Sequence, residues 1–156
     1  TPLMRAAQDG AGERTVRLLV EAGAKVDARD SSARTALFIA SQFGHADMVR
    51  GLAGLKADVA AKKLDVTAVF IAAQNGHVSV VEVLAELKAD VNTPQSDGTS
   101  PLFIASQYCH VAVVEALARL KADVNAADSH GQTPLRIATC QRHDAAVRAL
   151  KAAGAL

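Results

Sequence analysis

The heptapeptide at residues 100–106 decides the fold, because versions of it occur five times along the chain. It reads Ser100-Pro101-Leu102-Phe103-Ile104-Ala105-Ser106, and the other versions begin at Thr1, Thr35, Thr67 and Thr133. Successive versions are therefore 34, 32, 33 and 33 residues apart. A period this regular along the whole chain predicts stacked copies of one supersecondary unit.

Each copy predicts two short helices that follow one another. In the fourth copy Ser100 is a natural N-cap, and Pro101 fits the first helical position, where its missing N–H costs nothing. A second helix is expected after the break at residues 109–110, with an apolar face formed by Val113, Val114, Leu117 and Leu120. Neither helix can bury its apolar face alone, so equivalent helices of neighbouring copies must stack into one core. The sequence thus predicts an all-α protein.

The composition agrees with an all-α protein and excludes several classes. Half of the residues are hydrophobic, but only 3% are aromatic and none is tryptophan, so small aliphatic side chains must fill the core. No apolar run approaches the roughly 18 residues of a transmembrane helix, and we expect no membrane insertion. The 17 basic and 16 acidic residues give a net charge of +1, so we expect no nucleic-acid partner. Two cysteines do not make a disulfide framework, and we expect an intracellular location.

The repeated unit resembles the ankyrin repeat, a 33-residue motif with the signature Thr-Pro-Leu-His-x-Ala, then Gly-His, and later Gly-Ala-Asp-Val-Asn. The best matches outside the heptapeptides are Gly44-His45, Gly76-His77, Asp90-Val91-Asn92 and Asp123-Val124-Asn125. The resemblance implies a solenoid of helix-turn-helix units with β-turn or hairpin-like connections. It gives one domain, residues 1–156, with approximate repeats at 1–29, 30–61, 62–94, 95–127 and 128–156. Because the chain starts inside a motif and ends on an apolar segment, we expect it to be part of a longer protein.

Departures from the family pattern predict local differences. The family histidine of the first motif is replaced by Met4, Phe38, Phe70, Phe103 and Arg136, and the three phenylalanines are expected to pack between units. The family glycine at the end of the second helix becomes lysine at Lys56, Lys88 and Lys121. If that position is left-handed, as the resemblance implies, each lysine bears a strain of about 1 kcal/mol. The turn before the third unit is one residue short.

No group of residues predicts catalysis. Four histidines occur once per unit, directly after the first helix, which indicates a shared hydrogen bond to loop backbone: His45, His77, His110 and His143.

Cys109, His110, Cys140 and His143 form the one grouping that resembles a zinc set, but their spacing matches no compact zinc motif. We interpret Cys109 as a replacement for the family glycine and Cys140 as a small half-buried residue. With no nucleophile elbow, phosphate-binding glycine loop or acid pair, we expect no enzyme activity, catalytic residue, metal, cofactor or small-molecule substrate.

The resemblance implies a protein partner, held in a concave groove of turn tips and first helices. At matching positions the expected partner-binding residues are Arg34, Gln42, Phe43, Leu64, Val66, Gln74, Asn75, Asp97, Gln107, Tyr108, His130 and Gln141. Phe43 and Tyr108 are the aromatic residues expected to be exposed there, and exposed aromatics commonly anchor interfaces. Leu64 and Val66 either contact a partner or compensate for the shortened turn.

Four glutamines occupy one position in successive units, and we call them the glutamine row: Gln8, Gln42, Gln74 and Gln107. Their side chains either contact a partner or hydrogen-bond to one another and stiffen the stack. The resemblance also implies that Asn92 and Asn125 occupy a turn position that asparaginyl hydroxylases can modify.

The sequence therefore predicts a non-catalytic protein-protein interaction module. Two alternatives remain open at this point. The chain is a structural segment of a large multiprotein assembly, or it positions an enzyme or channel that lies elsewhere in a longer chain.

Overall fold

A computed structural model describes all 156 residues, and its regular structure consists of ten helices with no strand. The helices form five consecutive pairs, which we number as units 1 to 5. The first helices of the units are α1 (Pro2–Asp9), α3 (Ala36–Phe43), α5 (Ala68–Gln74), α7 (Pro101–Gln107) and α9 (Pro134–Cys140). The second helices are α2 (Glu13–Glu21), α4 (Ala46–Gly54), α6 (Val78–Glu86), α8 (Val111–Arg119) and α10 (Asp144–Ala152). The all-α repeat architecture predicted from the heptapeptides is confirmed.

The predicted N-caps start the first helices. The hydroxyl of Thr35 accepts a hydrogen bond from the main-chain N–H of Phe38 at 3.2 Å, and Ser100 does the same for Phe103 at 3.1 Å. A cap of this kind satisfies one of the N–H groups that the first turn leaves free. The heptapeptide is thus a helix-start signal as well as a packing segment.

Equivalent helices pack against one another along the chain, so that the first helices form one layer and the second helices another. A single continuous core runs between the layers, filled by Leu37, Leu52, Leu84, Leu102 and Leu117 together with valines and alanines. Phe38, Phe70 and Phe103 are 3 to 5% exposed, so all three rings are buried, and Phe70 belongs to the continuous core. We call the contact between two neighbouring units a seam, and the four seams are numbered from the N-terminus.

The second helices of units 2 to 4 end as expected. Lys56, Lys88 and Lys121 have positive φ values of 69°, 68° and 67°, in the left-handed region where unit 1 has Gly23. Each lysine bears a strain of about 1 kcal/mol, and its cationic head interacts favourably with the helix C-terminus.

The connections between units are hairpin-like. In most of them a main-chain N–H bonds to the carbonyl four residues later, as from Asp30 to Arg34 and from Asp128 to Gln132. In the shortened second connection, which leads into unit 3, Lys63 and Val66 exchange two hydrogen bonds of 2.9 Å across a two-residue turn. Leu64 occupies that turn with φ at 54°, a conformation that costs a branched side chain about 1 kcal/mol or more.

Polar side chains join successive units at these connections. The side-chain oxygen of Asn92 accepts the main-chain N–H of Asp123 at 2.8 Å, and Asn125 accepts that of Leu156 at 3.0 Å. This explains an asparagine at the end of Asp-Val-Asn: its amide oxygen pairs with a main-chain group of the next unit. On the second-helix layer, Arg50 forms an ion pair with Glu86 at 2.7 Å. No helix is long and apolar enough to cross a bilayer.

Candidate partner-binding site

The ends of neighbouring first helices lie side by side, because α3, α5, α7 and α9 pack in sequence. Phe43 is the last residue of α3, while Asn75, Tyr108 and Gln141 are the C-caps of α5, α7 and α9. The stack thus brings the predicted helix-end residues together as a row. The preceding residue belongs to the glutamine row in units 2 to 4 and is Cys140 in unit 5, so two parallel rows run across the seams.

Two aromatic side chains stand out in these rows. Phe43 is 45% exposed and Tyr108 is 52% exposed, whereas the phenylalanines of the first motif are buried. Each ring stacks near the histidine two residues later, with centroid distances of 6.5 Å for Phe43–His45 and 6.2 Å for Tyr108–His110. The expected exposure is confirmed. Because the neighbouring imidazole restricts each ring, less rotamer freedom remains to be lost on binding.

The glutamine side chains form no hydrogen bonds with one another. The alternative that they stiffen the stack by mutual hydrogen bonding is therefore wrong. The main-chain carbonyls of Gln8, Gln42 and Gln74 accept from the histidines described below, whereas that of Gln107 does not. Oε1 of Gln42 is buried without a partner, which costs about 1–3 kcal/mol. The glutamine amides thus have no hydrogen-bond partner within the chain, and the oxygen of Gln42 becomes accessible only if its side chain turns outward.

The predicted turn residues differ in whether their side chains are already engaged by other residues of the chain. The guanidinium of Arg34 is paired with Asp30 at 2.8 Å, and one oxygen of Asp97 accepts the N–H of Thr99 at 2.9 Å. His130 is exposed beside Asp128. Leu64 is 84% exposed at the tip of its turn, whereas Val66 is half-buried and packs on the core. Leu64 therefore offers apolar surface outward, and Val66 supports the shortened turn.

Two turn carboxylates have low pKa values. The main-chain N–H of Arg34 bonds to Asp30 and lowers its pKa below the ordinary 3.8, with a further contribution from the Arg34 guanidinium. The main-chain N–H groups of Gln132 and His130 lower the pKa of Asp128 in the same way. Both act against a smaller effect of burial, which raises the pKa. These carboxylates stabilise their own turns through hydrogen bonds to main-chain N–H groups.

The recurring histidines bond to main-chain carbonyls as predicted, but these carbonyls belong to the last turn of the preceding unit's first helix and not to a loop. The ring Nε2 of His77 lies 3.0 Å from the carbonyl oxygen of Gln42, and Nε2 of His110 lies 3.0 Å from that of Gln74. A carbonyl can only accept, so Nε2 carries the proton in these rings. His143 differs, because its Nδ1 lies 3.2 Å from the carbonyl oxygen of Ser106.

The structure assembles no group of three or more histidine, cysteine, aspartate or glutamate side chains able to hold a metal ion. Cys109 has φ at 58°, which confirms that it replaces the family glycine. The expectation of a half-buried Cys140 is wrong, since Cys140 is exposed. It stands at the glutamine-row position of unit 5, whose side chain points away from the core.

The second-helix layer carries a concave region that was not predicted from the sequence. It is an open groove of about 450 Å³ between α8 and α10, lined by Glu115, Ala118, Arg119, Ala149, Ala152 and Ala153. Elsewhere on this layer Arg50 pairs with Glu86, and Arg119 pairs with Glu82 at 2.9 Å. Ala152 stands where the next basic partner would be. The groove lies on the opposite layer from the predicted site.

Comparison with known families decides what the stack is. A family model described as ankyrin repeats (3 copies) matches residues 1–63 and 69–155. The chain belongs to the ankyrin-repeat family. The gap between the two matched segments contains Leu64, the tip of the shortened turn. Ankyrin repeats are generally protein-protein interaction modules, and the family is typically non-catalytic. No curated protein matches the chain significantly.

Proposed function

We propose that this ankyrin-repeat chain is a non-catalytic module that binds a protein partner in the groove between its turns and the ends of its first helices. Phe43 and Tyr108 act as the anchors. The observation that carries the proposal is the exposure of these two rings at equivalent positions, while Phe38, Phe70 and Phe103 are buried. An aromatic ring left in water at a helix end does not contribute to the core, so its stabilising contact lies with a partner.

The turns between units supply the other wall of the proposed groove, opposite the ends of the first helices. Leu64 places an exposed apolar side chain at a tip whose backbone is strained. Strain of this kind persists where the surrounding structure enforces it, often at binding sites. Basic side chains of these turns are offset by acids, since Arg34 pairs with Asp30 and Nζ of Lys62 lies 3.9 Å from Asp65. These features favour a protein partner over nucleic acid.

The test compares three forms of the intact protein as bait in affinity capture with quantitative mass spectrometry. The double variant F43A/Y108A removes both anchors. The control L18A removes an apolar side chain of similar exposure from α2, on the opposite layer. We expect F43A/Y108A to lose specific partners and L18A to retain them, because truncation of an anchor costs about 2 kcal/mol or more, roughly 30-fold in affinity.

Thermal unfolding of the three forms separates binding from folding. Both substitutions are at exposed positions, so unfolding free energies should agree within about 0.5 kcal/mol. If F43A/Y108A retains every partner, the groove is not the binding site and the chain acts as a structural segment of an assembly.

A further inference from the structure

The floor between the two anchors carries amides and no charge. The residues there are Gln42, Gln74, Asn75 and Gln107, and we call them the amide floor. Of their side chains, only that of Asn75 is engaged, since its Nδ2 donates to the carbonyl of Ile71 at 2.8 Å and leaves Oδ1 free. Oε1 of Gln42 has no partner. The floor therefore offers both donors and acceptors to a bound segment and cannot neutralise a charge.

The distance between the anchors restricts the segment. Phe43 and Tyr108 belong to units 2 and 4, so their helices are two packing distances apart, about 16–20 Å. An extended chain rises about 3.3 Å per residue and presents alternate side chains to one face. Two side chains on that face cover this distance when they are about six residues apart.

The amides distinguish an extended segment from a helix. A helix bonds its main-chain groups to one another and leaves none for the floor except at its ends. An extended segment leaves its N–H and C=O groups free, and glutamine and asparagine amides can pair with both. The unpartnered oxygen of Gln42 gains a donor when the side chain turns toward such an N–H group.

We propose that the groove takes an extended, uncharged peptide segment of the partner, with two apolar side chains about six residues apart. The apolar side chains pack on Phe43 and Tyr108, and main-chain groups between them hydrogen-bond to the amide floor. A charged side chain there would lose hydration without gaining an ion pair, so the intervening residues are uncharged. This inference rests on the function proposed above and adds the chemistry of the partner.

A phage-displayed library of random dodecapeptides, selected on the intact protein, tests the proposal. Every enriched peptide is counter-screened on F43A/Y108A. We expect peptides that lose binding on F43A/Y108A and share two apolar residues six apart with no charge between them. An enriched set with charged residues between the anchors, or with apolar residues at helical spacing, overturns this inference while the proposed function stands. If no enriched peptide distinguishes the two forms, the proposed function fails as well.

A matched pair of variants then tests the floor. Gln42 lies in the span between the anchors, whereas Gln8 has the same register in unit 1 and lies outside it. For a selected peptide, Q42A should raise the dissociation constant by about 3- to 10-fold, the effect of one hydrogen bond, and Q8A should leave it unchanged. Methylation of the peptide's main-chain nitrogens should weaken binding to the protein and abolish the difference caused by Q42A. Equal affinities for Q42A and Q8A would show that the floor does not pair with the segment.

Discussion

The first three seams of the stack and the fourth are built differently around one histidine. In the first three, a glycine ends the first helix and the ring of the next unit's histidine fills the space beside it. A Cβ on Gly76 would lie 2.7 Å from Nδ1 of His110. In the fourth seam Cys109 stands at the glycine position and brings a side chain, and His143 turns to bond through Nδ1 to Ser106.

The comparison shows that the glycine of Gly-His serves two units at once. It allows its own helix to end with a positive φ, and it leaves room for the ring of the following unit. The side chain of Cys109 takes that room in the fourth seam. The ring of His143 therefore bonds to Ser106, one residue before Gln107 in α7, and its Nδ1 carries the proton. The fourth seam thus keeps one bond between a histidine ring and a main-chain carbonyl. The carbonyl belongs to Ser106, whereas in the other three seams it belongs to a residue of the glutamine row.

The largest expected effect comes from filling the space beside a histidine. G76A should lower the free energy of unfolding by ~2–3 kcal/mol, since it adds left-handed strain and displaces the ring of His110. Urea unfolding measures the change. G131A is the matched control, because Gly131 has φ at 69° and no atom within 4 Å of its would-be Cβ. That control should cost only about 1 kcal/mol. Equal losses in both variants would mean that the ring makes no use of the space.

Restoring the glycine in the fourth seam should have the next largest effect. C109G should raise the free energy of unfolding by about 0.5–1 kcal/mol, since it relieves left-handed strain. The ring of His143 should then bond through Nε2 to Gln107, as in the other seams. Imidazole ¹⁵N chemical shifts report which nitrogen is protonated. C140S, at an exposed cysteine, should change neither quantity. A ring that stays protonated on Nδ1 in C109G would refute the role of the Cys109 side chain.

A smaller effect is expected on the second-helix layer, where the fourth seam also differs. Glu82 pairs with Arg119 across the third seam, but Glu115 faces Ala152 across the fourth. A152R should add an ion pair worth about 0.2–1 kcal/mol. The gain should disappear at 1 M salt, where charges are screened beyond about 3 Å. A152Q has a long uncharged side chain, so a similar gain there would exclude the ion pair as the cause.

The smallest effect concerns the turn that leads into unit 5. The low pKa of Asp128 means that its ionised form stabilises the folded state above the ordinary pKa of 3.8. This contribution is lost as the pH falls from about 4 through the lower folded pKa. D128N keeps an acceptor oxygen but no charge, so the difference between wild type and D128N should shrink over that range. Urea unfolding at pH 7 and pH 3 measures it, and a difference independent of pH would contradict the assignment.

Features within one unit could be predicted from the sequence. The caps at Thr35 and Ser100 and the left-handed Lys56 follow from local backbone chemistry, and their recurrence identifies them. The exposure of Phe43 and Tyr108 was also predicted, because both lie at a position that varies from unit to unit.

Features between units were harder to predict. The turned ring of His143 depends on the space that Cys109 occupies in the preceding unit, and no local pattern contains that distance. The ion pair of Arg50 with Glu86 joins residues 36 positions apart, and the spacing between glutamine side chains depends on helix packing. Whether the twelve predicted groove residues bind a partner is a matter for the capture experiment.

The in-series arrangement of the units has a mechanical consequence. Each unit contacts only its neighbours, so tension between Thr1 and Leu156 passes through every seam in turn. The fourth seam has the altered histidine bond and, like the first, no ion pair, and it should separate before the others. Unfolding of unit 5 would lengthen the chain by roughly 100 Å while units 1 to 4 remain folded. The chain would then unfold in steps under force, and unit 5 would unfold first.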